Sequence, residues 1–337
     1  MQEKTKKIID LNNIKSLLFV RLGKLGDMMI AGWIIKNIRK AYPHLKIGLV
    51  TLPKSRELFR YNPDINRLKL WSPVLLPALM LERFSGWDLL VDLNDEPSSR
   101  SVLAQKLLGA KQSIAFHNQK TAGVFDVTVP IASREKSHVL DRMAVMAAAL
   151  GAPAGKAGLV PCVYLKPGLK EEMLAAQQKA AGHKNKVIAL NISAGHASRY
   201  WQTEKWQALA RALLKKYPGV WIKVLNSPAD TKDAKALIKG IGSPRVLPYH
   251  RKNLHEFLAE IAISDMLVSP DTSAVHAACG LGVPVTGLYP EPYWNFVSWK
   301  PSGKNTAAIR SPKDGVGNIG FDQVSKVVLK MAQKCVG

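Results

Sequence analysis

Short, apolar, β-rich runs alternate with helical patterns along nearly all of this 337-residue chain, and that alternation admits few folds. Two strands separated by a helix need a crossover, so they lie parallel with the helix over the sheet. Residues 14–21, 46–51, 68–71 and 87–93 carry strand patterns. The last is apolar on both faces, as a buried parallel strand is. Between the first two, Ile30, Ile34, Ile38 and Ala41 recur at helical spacing over residues 27–42, and Pro43 ends the run. Further helices are predicted over 54–60, 97–108 and 137–150, with short strands at 113–116 and 125–129.

Residues 151–168 hold four glycines and three prolines and lack helical periodicity, which marks a linker. A second alternation follows. Strands are predicted at 187–192, 220–225, 245–247, 266–269 and 283–288, and helices at 170–181, 203–217, 229–241, 254–263 and 274–281. The pattern predicts an α/β chain of two doubly wound halves: residues 1–155, a linker over 156–168, and residues 169–320. A terminal helix over 321–337 is expected to pack back on the first half. The length suits two domains, and a hydrophobic fraction of 47% suffices for two cores.

Open parallel sheets bind ligands beyond the carboxyl ends of their strands, so the loops that follow strands are the candidate sites. The first strand runs into Arg21-Leu22-Gly23-Lys24-Leu25-Gly26-Asp27. Two glycines allow a tight turn and close approach to a ligand. The spacing fits neither a dinucleotide fingerprint nor a Walker loop. Asp27 stands near a helix start, where a carboxylate serves equally as a cap or as a general base.

The first strand of the second half runs into Asn191-Ile192-Ser193-Ala194-Gly195-His196-Ala197-Ser198-Arg199-Tyr200-Trp201. Small residues such as Ser193, Ala194 and Gly195 let backbone N–H groups reach phosphate oxygens, and Arg199 can grip them with its planar fork. Ser269-Pro270-Asp271-Thr272-Ser273-Ala274-Val275-His276 also leaves a strand and opens a helix. Thr272 and Ser273 are N-cap types, and a helix N-terminus attracts a diphosphate. His276 lies one turn beyond Ser273. A loop with Tyr293, Trp294, Phe296 and Trp299 follows the last strand and serves either local packing or a sugar or base.

Together these loops resemble the heptosyltransferases of glycosyltransferase family nine, which have the GT-B fold: two Rossmann-like domains facing across a cleft. Residues 20–27 are similar to that family's Leu-Gly-Asp turn. Residues 191–201 are similar to its Asn-Pro-Gly-Ala-Gly…Ser-Lys-Arg-Trp loop, and residues 269–284 to its Ser-Pro-Asp-Thr-Gly-Pro-Val-His…Leu-Gly-Val-Pro segment. The resemblance implies an inverting transfer of a sugar, usually heptose from ADP-heptose, to the lipopolysaccharide core, without a bound metal or cofactor. It places Asp27 as the catalytic base, with Gly23, Lys24 and Gly26 in its turn. Ser193, Ala194, Gly195, Arg199, Asp271, Thr272, Ser273 and His276 fall at donor-binding positions, and Asp230 near an acidic position associated with the nucleoside. Ile192 and Ser193 replace Pro-Gly, Arg199 replaces Lys, and Ser273 replaces Gly.

The net charge of +23 divides as +11 over residues 1–160 (24 Lys+Arg, 13 Asp+Glu) and +12 over 161–337 (24 and 12). A field of that sign attracts anions. Its even spread and the donor-like segment weigh against nucleic acid, and the acceptor that the resemblance implies, an anionic lipopolysaccharide at an anionic membrane surface, fits that charge. Cys162, Cys279 and Cys335 have no redox or metal-ligand spacing. No apolar run nears the roughly 18 residues of a membrane span, and Asp10, Asn12, Asn13 and Lys15 break the N-terminal stretch. The chain is therefore expected in the cytoplasm, and the resemblance implies a peripheral place at the inner membrane of a Gram-negative bacterium. Two rival readings remain from the residues: a nucleotide-sugar epimerase on the same double fold, and a basic nucleic-acid-binding protein.

Overall fold

A computed structural model describes residues 9–152, 158–247, 249 and 253–337. The chain forms two compact units, Met1–Tyr164 and Leu165–Gly337. Residues 156 and 157 of the expected linker lie outside the described residues.

The first unit holds six strands: β1 (Ser16–Val20), β2 (Lys46–Thr51), β3 (Arg67–Leu70), β4 (Trp87–Asp92), β5 (Ala110–Phe116) and β6 (Val127–Val129). Its helices are α1 (Leu25–Ala41), α2 (Leu76–Met80), α3 (Ser99–Leu108) and α4 (Val139–Ala149). The sheet order is β3-β2-β1-β4-β5-β6, and every pair is parallel. Each residue of β1 is buried, which explains its unbroken apolar run. One core gathers Leu18, Val20, Trp71, Trp87 and Leu108. On α1, Met28, Ile30, Ile34, Ile35 and Ile38 are buried.

The second unit holds β7 (Lys186–Asn191), β8 (Val220–Leu225), β9 (Val246–Leu247), β10 (Met266–Pro270), β11 (Val285–Tyr289) and β12 (Thr306–Arg310). Its helices are α5 (Leu169–Ala181), α6 (Thr203–Lys216), α7 (Thr231–Ile241), α8 (Leu254–Ala262), α9 (Ser273–Leu281), α10 (Tyr293–Trp299) and α11 (Phe321–Cys335). Its sheet order is β12-β11-β10-β7-β8-β9, again with parallel pairing throughout. Counted from its own first strand, this repeats the winding of the first sheet. In both units the strand order reverses direction beside the first strand, between β1 and β4 and between β7 and β10. That reversal is where a doubly wound sheet opens a ligand crevice.

Three elements differ from the sequence expectation. The helix over 54–60 is a pair of 3-10 turns, Pro53–Ser55 and Glu57–Phe59. The aromatic loop is the short helix α10. β12 was not anticipated, because this edge strand is only half buried and has no alternating pattern. Helix α11 sets Val324, Val328, Met331 and Ala332 into the core of its own unit and packs on α6.

Candidate functional site

In the first unit, the loops after β1 and β4 meet at the switch point. Helix α1 begins at Leu25 with Lys24 as its N-cap, so Asp27 is the third helical residue rather than the cap itself. Its Oδ2 accepts the backbone N–H of Lys24 at 2.9 Å. Its Oδ1 accepts from Arg21 Nη2 at 2.6 Å. Asp27 therefore steadies the helix start while part of its side chain stays exposed. Gly26 is the second residue of the helix. Gly23 is required by close approach: a Cβ there would stand 2.5 Å from the Cβ of Asp27.

Arg21 is buried and shared between two carboxylates. Its Nη1 donates to Asp95 Oδ1 at 2.6 Å and to the carbonyl of Leu93. The other oxygen of Asp95 accepts from Arg142 Nε at 3.0 Å and Nη2 at 2.7 Å. Burial alone would lower the Arg21 pKa, but Asp95 and Asp27 beside it more than reverse that and hold it above its usual range. Burial likewise pushes Asp95 up, and Arg21 and Arg142 overcome it and hold the carboxyl below its usual range. The result is an alternating chain, Asp27–Arg21–Asp95–Arg142, that fixes the orientation of Asp27. Beside it, Asn94 accepts the N–H of Leu22 at 3.1 Å and donates its own N–H to Asp92 at 2.9 Å. Asp92 is buried, and burial pushes its carboxyl up to about 6 against those hydrogen bonds.

In the second unit, an amide and hydroxyls join the loops together with the buried carboxylate of Asp230 and the Arg199–Asp271 pair. Asn191, at the end of β7, donates to Ser269 Oγ at 2.9 Å and Thr272 Oγ1 at 3.3 Å. Thr272 is the N-cap of α9 and accepts the N–H of Ala274. Ser273 is the first residue of that helix, half buried at its mouth. His276 is buried one turn on, its ring meeting Trp299 edge-on at 5.9 Å between centroids.

Arg199 reaches across from the β7 loop. Its Nη1 donates to the carbonyl of Asp271 at 3.0 Å, and its Nη2 lies 3.3 Å from Asp271 Oδ2. Asn295 of α10 donates to the same Oδ2 at 2.8 Å. Asp230 is buried and ties three segments together. Its Oδ2 accepts from Ser193 and from Ser227 Oγ, the latter at 2.6 Å, and Tyr200 donates to Oδ1 at 3.0 Å. The hydroxyl of Tyr200 also lies 3.0 Å from the carbonyl of Ala194. Burial, then Asp230, raises the Tyr200 pKa. Gly195 is exposed at the loop tip, where a Cβ would meet nothing within 4 Å, so packing does not demand a glycine.

The structure thus brings Ser193, Ala194, Arg199, Asp230, Asp271, Thr272, Ser273 and His276 to one end of the second sheet. Gly23, Lys24, Gly26 and Asp27 occupy the matching end of the first. Sequence reasoning missed Asp95, Arg142 and Asn295 as partners. Asp95 was findable, since it follows β4 at the carboxyl end of the sheet. Arg142 sits on a helix with no motif around it, and Asn295 lies within the aromatic segment 293–299, where the aromatics alone drew notice.

Comparison with known proteins gives consistent matches. The family model "Glycosyltransferase family 9 (heptosyltransferase)" matches residues 83–317. Lipopolysaccharide heptosyltransferase 3 of Escherichia coli is 22% identical over 83% of this chain and 84% of its own. A glycosyl transferase family 9 structure from Veillonella parvula superposes with a TM-score of 0.80 at 16% identity, covering 95% of this chain and 98% of that one. The E. coli heptosyltransferase WaaC with ADP superposes at 0.73 and 16% identity, covering 95% and 99%.

Proposed function

This chain belongs to glycosyltransferase family 9, the heptosyltransferases, and we propose that it moves a heptose from ADP-heptose onto the core region of lipopolysaccharide. It is an enzyme of the glycosyltransferase class with the GT-B fold, and its family membership, rather than the fold, weighs against the epimerase and nucleic-acid-binding readings. The observation that carries the donor reading is the start of α9. There a helix N-terminus capped by Thr272 stands next to Arg199, itself aimed by Asp271. Backbone N–H groups and a fixed guanidinium suit a leaving diphosphate. The ADP in the similar WaaC structure supports an adenine nucleotide.

In this scheme Asp27 takes the proton of an acceptor hydroxyl. The freed oxygen attacks the anomeric carbon, the bond to the donor diphosphate breaks with inversion, and the nucleoside diphosphate leaves with the electron pair. Arg199 and the N–H groups at the start of α9 take up the charge that develops. The scheme needs no metal, because that cationic stabilisation stands in its place. Gly195 leaves the loop tip open for backbone approach, and Ser273 puts a hydroxyl at the mouth of α9 where the family has glycine. The acceptor is anionic and held at the cytoplasmic face of an inner membrane, and a net charge of +23 concentrates the protein at such a surface.

A thermal-shift screen against ADP, UDP, GDP and CMP sugars tests the donor, since a ligand of the folded state raises its melting temperature. ADP-heptose should give the largest rise and should be consumed when lipopolysaccharide core acceptor is added. A rise with a sugar of another nucleotide, and none with ADP-heptose, would overturn the assignment.

A further inference from the structure

Residues 73–85 of the first unit form one helical run: a 3-10 turn at Pro73–Leu75, helix α2, and a second 3-10 turn at Leu81–Ser85. Its inner side is ordinary. Leu79 is buried, and Leu76 packs on the core around Trp71 and Trp87. Glu82 turns inward, 2.6 Å from Lys69 Nζ and accepting from Trp87 Nε1 at 3.2 Å. The outer side is unusual. Val74 is 87% exposed, Met80 51%, Leu81 65% and Phe84 83%. Val74, Ala78 and Leu81 follow the four-then-three spacing of one helical face. Leu75 adds to it, as does Leu103 of α3, a helix that packs against both α2 and the 81–85 turn.

A surface helix normally turns a polar stripe outward, and single exposed apolar residues need no explanation. Here a group of neighbours does the opposite. The charges at its border are cationic. On α3, Arg100, Leu103 and Lys106 are all exposed and three residues apart, so two cations flank the leucine on one face. Arg83 is exposed between Leu81 and Phe84, and its Nη1 donates to the carbonyl of Lys106 at 2.9 Å, which holds it beside α3. The acidic residue of the run, Glu82, is on the buried side.

We propose that this face seats the protein on an anionic lipid bilayer, with Val74, Leu81 and Phe84 entering the interface and Arg83, Arg100 and Lys106 meeting lipid phosphates. Apolar side chains then fill the boundary between headgroups and acyl chains, and the cations lie at phosphate level. No helix among the described residues is long and apolar enough to cross a membrane, so the contact is one of lying on the surface. The inference deepens the proposed function and rests on its membrane-held acceptor for the choice of surface.

The test is co-flotation of the full chain with vesicles containing phosphatidylglycerol, against vesicles of phosphatidylcholine alone. The chain should float with the former, less so at high salt. The double variant Leu81→Ser/Phe84→Ser should bind at least about tenfold more weakly, since two large apolar side chains lose their burial. Arg100→Gln/Lys106→Gln should weaken binding by a smaller factor. Both variants should keep wild-type melting temperatures and wild-type transfer to a water-soluble core fragment. Undiminished flotation of Leu81→Ser/Phe84→Ser overturns the proposal. So does a wild-type dimer that this variant dissociates with flotation unchanged, which would make a second copy the occupant. Face-dependent flotation of a protein that transfers no heptose supports the proposal and fails the proposed function instead.

Discussion

The two units wind their sheets in the same order and place their candidate loops at the same reversal, yet they hold those loops by different means. At the β1/β4 switch the holders are charges: Arg21 is buried between Asp27 and Asp95, and Arg142 closes the chain. At the β7/β10 switch they are mostly an amide and hydroxyls, three of which converge on the buried carboxylate of Asp230, with one partly exposed arginine, Arg199, on Asp271. The difference follows from what each end is proposed to meet. A group that removes a proton needs a fixed direction, and a buried guanidinium between two carboxylates supplies it. A site for a leaving diphosphate must stay positive, and a free carboxylate there would repel the ligand. Asp271 avoids this by directing its charge to Arg199 and Asn295.

The contrast can be broken most directly at Asp27. Asp27→Ala should lower kcat by about 10²–10⁴-fold, the usual worth of a general base, with donor affinity by calorimetry unchanged. A variant that turned over near the wild-type rate would remove the base from the first unit.

The two arginines come next. Arg21→Met leaves buried carboxylates without their cation and should cost about 3–5 kcal/mol of unfolding free energy in a denaturant melt. Arg199 is the more exposed arginine, and the buried Asp271 beside it keeps its bond from Asn295, so Arg199→Ala should cost about 1–3 kcal/mol. Its effect should fall on the donor as well, about 10–100-fold in affinity, as for a lost hydrogen bond to a charged group. Equal stability losses for the two variants would show that the ends are built alike.

Asp92 sharpens the electrostatic side. Its folded pKa, about 6, lies above the ordinary value of 3.8. Between those values the folded chain holds a proton that the unfolded chain has released. Asp92 therefore contributes stability that is full below pH 4 and is lost as pH rises to about 6, on the order of 2–3 kcal/mol. Asp92→Asn should flatten that part of the stability–pH curve, measured by chemical unfolding at each pH. An unchanged slope would mean that the carboxyl ionises freely in the fold.

The smallest expected effects come from two glycines. Gly23→Ala drives a methyl into Asp27 and should lower kcat by about 10–100-fold, the scale of a misplaced catalytic group. Gly195→Ala meets open space, so its melting temperature should match wild type while donor affinity falls by a few-fold. A loss of stability at Gly195 would point to packing that the free loop does not show.

Most strands were legible because buried parallel strands leave unbroken apolar runs, as in β1 and β4. The edge strand β12 was not, since Thr306–Arg310 is half buried and its pairing with β11 carries the assignment. The start of α1 was misjudged because Lys24 is a poor cap type; Asp27 reaches back to its N–H and makes the earlier start workable. In the candidate site, residue identity pointed to Asp27, Arg199 and Thr272, and position after β4 could have pointed to Asp95, whereas the pairings among them lay beyond reach. Arg21 and Asp95 are 74 residues apart, and Asn295 lies 24 beyond Asp271. Such pairs meet only because the winding order sets β1 beside β4 and lets the segment after β11 fold back as α10.

The edge-on contact between His276 and Trp299 has a practical side. Indole emission responds to the position of a ring held against it. Occupancy at the mouth of α9, one helical turn from that ring, therefore reaches a native fluorophore. The second unit thus carries an indole beside the proposed donor end, and a change in tryptophan emission as ADP-heptose is titrated into the unmodified chain would report occupancy there without any attached dye.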